Sequence, residues 1–104
     1  MEITINKETD RATAVVEGRV DTTNSSEFMQ DLSEVVESCS VVVLDCAKLE
    51  YISSAGLRVL LSVHKAMARK DGFFFVENVS RDILEIFEIT GFSRILTINS
   101  GNEK

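Results

Sequence analysis

Residues 41–76 read VVVLDCAKLEYISSAGLRVLLSVHKAMARKDGFFFV. Val41-Val42-Val43-Leu44 is an unbroken apolar run rich in β-branched residues, which suits a strand covered on both faces. Asp45 to Ser54 reads as a connection in which Leu49 and Ile52 are buried. From about Ala55, the residues Leu57, Leu60, Leu61, His64, Met67 and Ala68 recur at the i, i+3, i+4, i+7 spacing of one helical face. Val59 and Val63 widen that face, and Asp71-Gly72 closes the helix just past Lys70. Phe73-Phe74-Phe75-Val76 is a second buried strand. Strand, helix and strand in this order predict a parallel pair joined by a right-handed crossover.

The same reading extends in both directions. Residues 2–6 alternate polar and apolar, as a half-buried strand does, and Lys7-Glu8-Thr9-Asp10 reads as a turn. Ala12 to Glu17 is a second strand, stopped at Gly18 and paired with the first as a hairpin. Asp21-Thr22-Thr23-Asn24-Ser25 is a run of helix-capping residues, followed by Phe28, Leu32, Val35, Val36 and Cys39 at helical spacing. Beyond Val76, Asn78-Val79-Ser80 caps a third helix with Ile83, Leu84, Ile86 and Phe87 on its apolar face. Thr90-Gly91 ends it, and Ile95 to Ile98 forms a last strand. The predicted order is β-β-α-β-α-β-α-β. It makes an α/β fold, a mixed sheet with parallel central strands and helices packed on it. One domain spans 1–99, and 100–104 is a short tail. Sites in such sheets gather at the carboxyl ends of the strands, which draws attention to Asp21–Ser25, Ile52–Gly56 and Asn78–Ser80.

Composition excludes several function classes. The chain has 104 residues, with 11 Lys+Arg against 17 Asp+Glu, a formal net charge of −6. That balance argues against a nucleic-acid binder and against docking on anionic lipid. No apolar run reaches the roughly 18–20 residues that span a bilayer, and Met1-Glu2-Ile3-Thr4 does not open a signal peptide. Cys39 and Cys46 are too few for a disulfide scaffold and read as buried thiols in a reducing cytoplasm. With one histidine, a zinc site lacks material, and neither a metal nor any other cofactor is expected.

The residues that carry chemistry lie in Leu49-Glu50-Tyr51-Ile52-Ser53-Ser54-Ala55-Gly56-Leu57. Two serines stand directly before a strong helix, where a hydroxyl caps free N–H groups. Gly56 lies in the first turn, where glycine costs up to about 1 kcal/mol relative to alanine and permits another surface to come close. A serine at a helix N-terminus is also a favourable place for a phosphoryl group. Hydrolase chemistry does not fit. His64 lies ten residues along the same predicted helix, about 15 Å from Ser54 at 1.5 Å per residue. A receiver domain phosphorylated on aspartate does not fit either: Lys7-Glu8 follows the first strand, and Glu77-Asn78 follows Phe73–Val76.

Tyr51-Ile52-Ser53-Ser54-Ala55-Gly56-Leu57-Arg58-Val59-Leu60-Leu61 resembles the signature of the STAS domain, and more narrowly that of bacterial anti-sigma factor antagonists. Gly18-Arg19-Val20-Asp21, Val43-Leu44-Asp45, Asn78-Val79-Ser80 and Thr90-Gly91-Phe92 are similar to further segments of that family, so the resemblance covers nearly the whole chain. It implies a binding protein without catalytic activity that works by partner switching. Such a protein, unphosphorylated, binds an anti-sigma factor that is also a serine kinase of the GHKL ATPase type, and the sigma factor is freed. Phosphorylation of one serine reverses the binding, and a serine phosphatase restores it. On this match the acceptor is Ser54, with Ser53 as the second candidate, because Ser53 stands where many antagonists carry aspartate. The partner surface it implies comprises Asp21, Thr22, Ser53, Ser54, Gly56, Leu57 and Asn78. The alternative reading is a STAS scaffold or small-ligand sensor that is not phosphorylated. The short free-standing chain favours the cytoplasmic switch over a transporter-linked domain.

Overall fold

The computed structural model describes residues 1–99. The tail expected over 100–104 lies outside them. Five strands and three α-helices follow in the predicted order. They are β1 (Glu2–Glu8), β2 (Arg11–Val20), α1 (Ser25–Ser38), β3 (Val41–Ile52), α2 (Ser54–Arg69), β4 (Phe73–Glu77), α3 (Arg81–Thr90) and β5 (Thr97–Asn99). The sheet runs β1-β2-β3-β4-β5, with β1 antiparallel to β2 and every other pair parallel.

Right-handed crossovers that always step to the next strand put every helix on the same face. The core shows it. One cluster takes Ala12, Ala14 and Val16 from β2, Val42 and Leu44 from β3, and Phe74 and Val76 from β4, all of one parity. Phe28 and Leu32 of α1, Leu60 and Val63 of α2, and Ile83 and Phe87 of α3 pack on them. The opposite face carries Val15, Val43, Phe73 and Phe75, and among the described residues no helix covers it. Val43 is nonetheless buried, while Phe73 on the neighbouring strand is 60% exposed. The Phe73 and Phe75 rings stack at 6.1 Å. The central strand is thus buried on both faces at Val42–Leu44, as its apolar run predicts, although among the described residues helices lie on one side only.

The bounds of four strands differ from the sequence reading. β1 reaches Glu8, so the hairpin turn shrinks to Thr9-Asp10. β2 passes through Gly18 to Val20, and β3 passes through the expected connection to Ile52. Register shifts between Val15 and Glu17 and between Gly18 and Arg19 interrupt the alternation there. Gly18 sits at φ +94°, a bend only glycine adopts cheaply. A periodicity reading stops where the pattern breaks, although the pairing continues. At the other end, Phe92–Arg94 makes a 3-10 turn, Ile95 and Leu96 lie outside the strand, and β5 holds only Thr97–Asn99.

The buried face of α2 is Gly56, Leu57, Val59, Leu60, Val63 and Met67. Leu61 and His64 are half-buried and Ala68 is exposed, so the face is centred nearer Val63 than the spacing suggests. The Cys46 thiol is buried, and burial pushes its pKa up to about 12, which leaves it unreactive. No basic residue stands in the last turn of α1. Lys70, at the end of α2, supplies the charge instead: its Nζ donates to the carbonyls of Val36 (2.6 Å), Cys39 (3.0 Å) and Glu37 (3.4 Å). Lys70→Met should cost about 1–2 kcal/mol. The thermal midpoint should then fall by roughly 5–10 °C. An unchanged melt would show that the tie contributes nothing.

Candidate functional site

β3 outruns β4. Glu77, the end of β4, pairs with Asp45, while β3 continues beside β2 alone as far as Val20↔Ile52. The two strand ends are joined by Ser53 N–H donating to the Val20 carbonyl at 2.9 Å. Arg19 and Tyr51 pair on this extension, the guanidinium lying 4.4 Å from the ring centroid. The chain leaves β2 at Asp21 and enters α2 at Ser54, so the β2–α1 and β3–α2 connections lie side by side.

The two serines take different roles. Ser53 is the N-cap, with extended backbone, and its Oγ accepts from Gly56 N–H at 3.3 Å. Ser54 is the first helical residue and its side chain is exposed. Among the described residues no hydrogen bond holds the Ser54 hydroxyl. Capping occupies Ser53 and leaves the Ser54 hydroxyl exposed.

Gly56 has an internal reason to be glycine. A Cβ there would come within 2.7 Å of Ile52 Cγ1 and 2.8 Å of Val20 Cγ1. The surface that approaches it is the protein's own strand ends, not a partner. Gly56 is buried and Leu57 is 4% exposed, so both support the site from below and neither presents a side chain to a docking protein.

The neighbouring loop is held by its own side chains. The Asp21 carboxylate accepts from Thr23 Oγ1 at 2.6 Å and from Thr23 N–H at 3.0 Å. These bonds, with the Arg19 charge behind them, hold the Asp21 pKa below the usual aspartate value. Asn24 precedes α1 but does not cap it with its side chain. Its Oδ1 accepts from Asp21 N–H at 2.9 Å and its Nδ2 donates to the Arg19 carbonyl at 3.0 Å. Thr22 is exposed at the loop's outer edge.

Asp21, Thr22, Ser53 and Ser54 therefore share one end of the sheet. Asn78 does not join them. It takes a left-handed backbone at φ 58° and donates to Asp45 Oδ1 at 3.0 Å. From Asp45 to Ile52 is roughly 20 Å of strand at about 3.3 Å per residue. The cap of α3 is Ser80, which accepts from Ile83 N–H at 3.3 Å. Sequence order places Asn78 after a strand, but the unequal strand lengths anchor it level with Asp45 rather than with Ile52.

One feature beside the site has no mark in the sequence. A groove of about 330 Å³ opens between α1 and α2, lined by Ser25, Ser26, Met29, Arg58, Val59 and Ser62. Among the described residues, no group of three His, Cys, Asp or Glu is placed to hold a metal. No helix there is long and apolar enough to cross a membrane.

Comparison with known proteins gives concordant results. The family model of the STAS domain matches residues 4–103. BtrV of Bordetella bronchiseptica, assigned as an anti-sigma factor antagonist, is 34% identical over 104 residues, spanning 99% of this chain and 90% of BtrV. Among solved structures, a Thermotoga maritima protein assigned as an anti-sigma factor antagonist superposes with a TM-score of 0.85 at 17% identity, over 93% of this chain and 85% of that one. The Bacillus cell fate determinant SpoIIAA in its phosphorylated form superposes with a TM-score of 0.74 at 12% identity, over 93% and 90% of the two chains.

Proposed function

The chain belongs to the STAS domain family, among its anti-sigma factor antagonists, and from that membership we propose that it is a phospho-switched binding module of a partner-switching cascade. Antagonists are regulators rather than enzymes, and the chemistry of the switch belongs to the partner. In the unphosphorylated state, the surface around Ser54 binds an anti-sigma factor that is also a serine kinase of the GHKL ATPase type, and the sigma factor is set free in the cytoplasm. The Ser54 Oγ then attacks the γ-phosphorus of the kinase-bound ATP. The bond from that phosphorus to the ADP oxygen breaks, and the hydroxyl proton passes to a base on the kinase. The phosphorylated chain leaves, and a serine phosphatase returns it by hydrolysis.

The observation that carries this reading is the division of labour between the serines. Ser53 Oγ is engaged as the cap, whereas Ser54 is exposed on the first turn of α2. A phosphate there meets the positive end of the helix and does not unfold it. Asp21, Thr22 and Ser53 flank it on the docking face, Gly56 and Leu57 hold that face in shape, and Asn78 is assigned to the α3 end instead. The immobilised, unphosphorylated chain should retain a GHKL-type kinase from a lysate of its source. ATP with Mg²⁺ should release that kinase, and ADP should not. Retention of no such kinase, or release by ATP without phosphate on the chain, would sink the proposal.

A further inference from the structure

Arg58 stands four residues after Ser54 on α2, which places the two on one face of the helix about 5–6 Å apart at their Cβ atoms. A helical side chain leans toward the N-terminus, so the Arg58 stem points back over the turn that carries Ser54. Arg58 is exposed, and it is the one charged residue among those lining the groove between α1 and α2. Among the described residues no hydrogen bond holds its guanidinium. The other nearby cation, Arg19, is engaged over Tyr51. The first turn of α2 carries no acidic residue to compete.

We propose that Arg58 is the built-in counter-ion of a phosphoryl group on Ser54, leaving the groove to pair with it across one helical turn. The inference rests on Ser54 as the acceptor. A guanidinium matches phosphate oxygens with two parallel N–H donors, which a lysine cannot do. Pairing offsets part of the −1.5 to −2 charge that phosphoserine brings. It also takes from the groove its only charged lining residue. One modification thus changes two adjacent patches of the docking face. The phosphate is added at the helix end, and the cation is withdrawn from between the helices.

The test uses the full chain with phosphoserine installed at position 54 during synthesis, so it needs no kinase. The second ionisation of the phosphate is followed by ³¹P NMR in the parent, Arg58→Gln and Arg58→Lys proteins. Arg58→Gln should raise its pKa by roughly half a unit at low salt. Arg58→Lys should fall between the two, and the difference should collapse in about 1 M salt. A purely structural role for Arg58 would leave the phosphate titration unmoved. Coincident titrations of the parent and Arg58→Gln at low salt, with equal thermal melts, would overturn the proposal. Failure of any kinase to modify Ser54 would instead overturn the acceptor assignment and leave this titration readable.

Discussion

Ser54→Ala, incubated with the cognate kinase and ATP, should take up no phosphate and should hold the kinase after ATP is added. Its fold should survive, because Ser54 is not the cap of α2 and its replacement removes no bond seen in the structure. Ser53→Ala should behave in the opposite way. It loses the bond to Gly56 N–H, costing about 1 kcal/mol, yet still accepts phosphate. Ser54→Asp sharpens the test. A carboxylate on the first turn is worth some 0.3–1 kcal/mol to the helix, so this protein should melt no lower than the parent. Its affinity for the kinase should nevertheless fall at least tenfold, about 1.4 kcal/mol. Release must then arise at the interface, where the added anion is costly to desolvate and a neighbouring cation offsets only part of that cost. Phosphate mapped to Ser53 would reassign the acceptor. Full affinity in a folded Ser54→Asp protein would remove charge as the switch.

The second large effect is on stability, at Gly56. Gly56→Ala places a methyl within 3 Å of both Ile52 and Val20. Overpacking costs about 1–3 kcal/mol. The better helix propensity of alanine returns up to about 1 kcal/mol. A net loss of about 1 kcal/mol is expected, measured by denaturant unfolding. Gly56→Val adds bulk against the same two side chains and gains less in propensity, so it should lose about 3 kcal/mol. That corresponds to a fall in thermal midpoint of roughly 12–24 °C. Equal stabilities across Gly, Ala and Val would show that the strand ends yield freely. The series also changes how binding data at this position are read. Weak binding by Gly56→Arg reports a disturbed junction between α2 and the sheet, since the glycine faces inward.

Much of this was legible from the chain. Val41–Leu44, the apolar period from Leu57 to Met67, and Phe73–Val76 place the parallel core and its crossover, because each run is long and regular. The serine pair before α2 marks the site. The extent of β3 was not legible: Ala47 and Lys48 are both exposed, so the alternation fails just where a bulge lets pairing resume at Lys48, opposite Glu17. The same miss hides that Asn78 stands level with Asp45 rather than Ile52, since strand lengths decide which connections lie level. The role of Gly56 was also hidden. Glycine signals close approach without saying by what, and Val20 lies far from it in sequence. The groove beside Arg58 joins residues of two helices and leaves no pattern in either.

The sheet order β1-β2-β3-β4-β5 means that each strand's partner has already been made when that strand is synthesised. A chain emerging from the ribosome can therefore add one strand and one helix at a time to an existing edge, with no later strand inserted between earlier ones. Each closure spans one crossover, so the search at each step is short. The last edge to form is β5 on β4, three residues long. Assembly should accordingly proceed without waiting for the C-terminus, and the pairing of β2 with β3 that sets Ser54 in place needs no residue of β4 or β5.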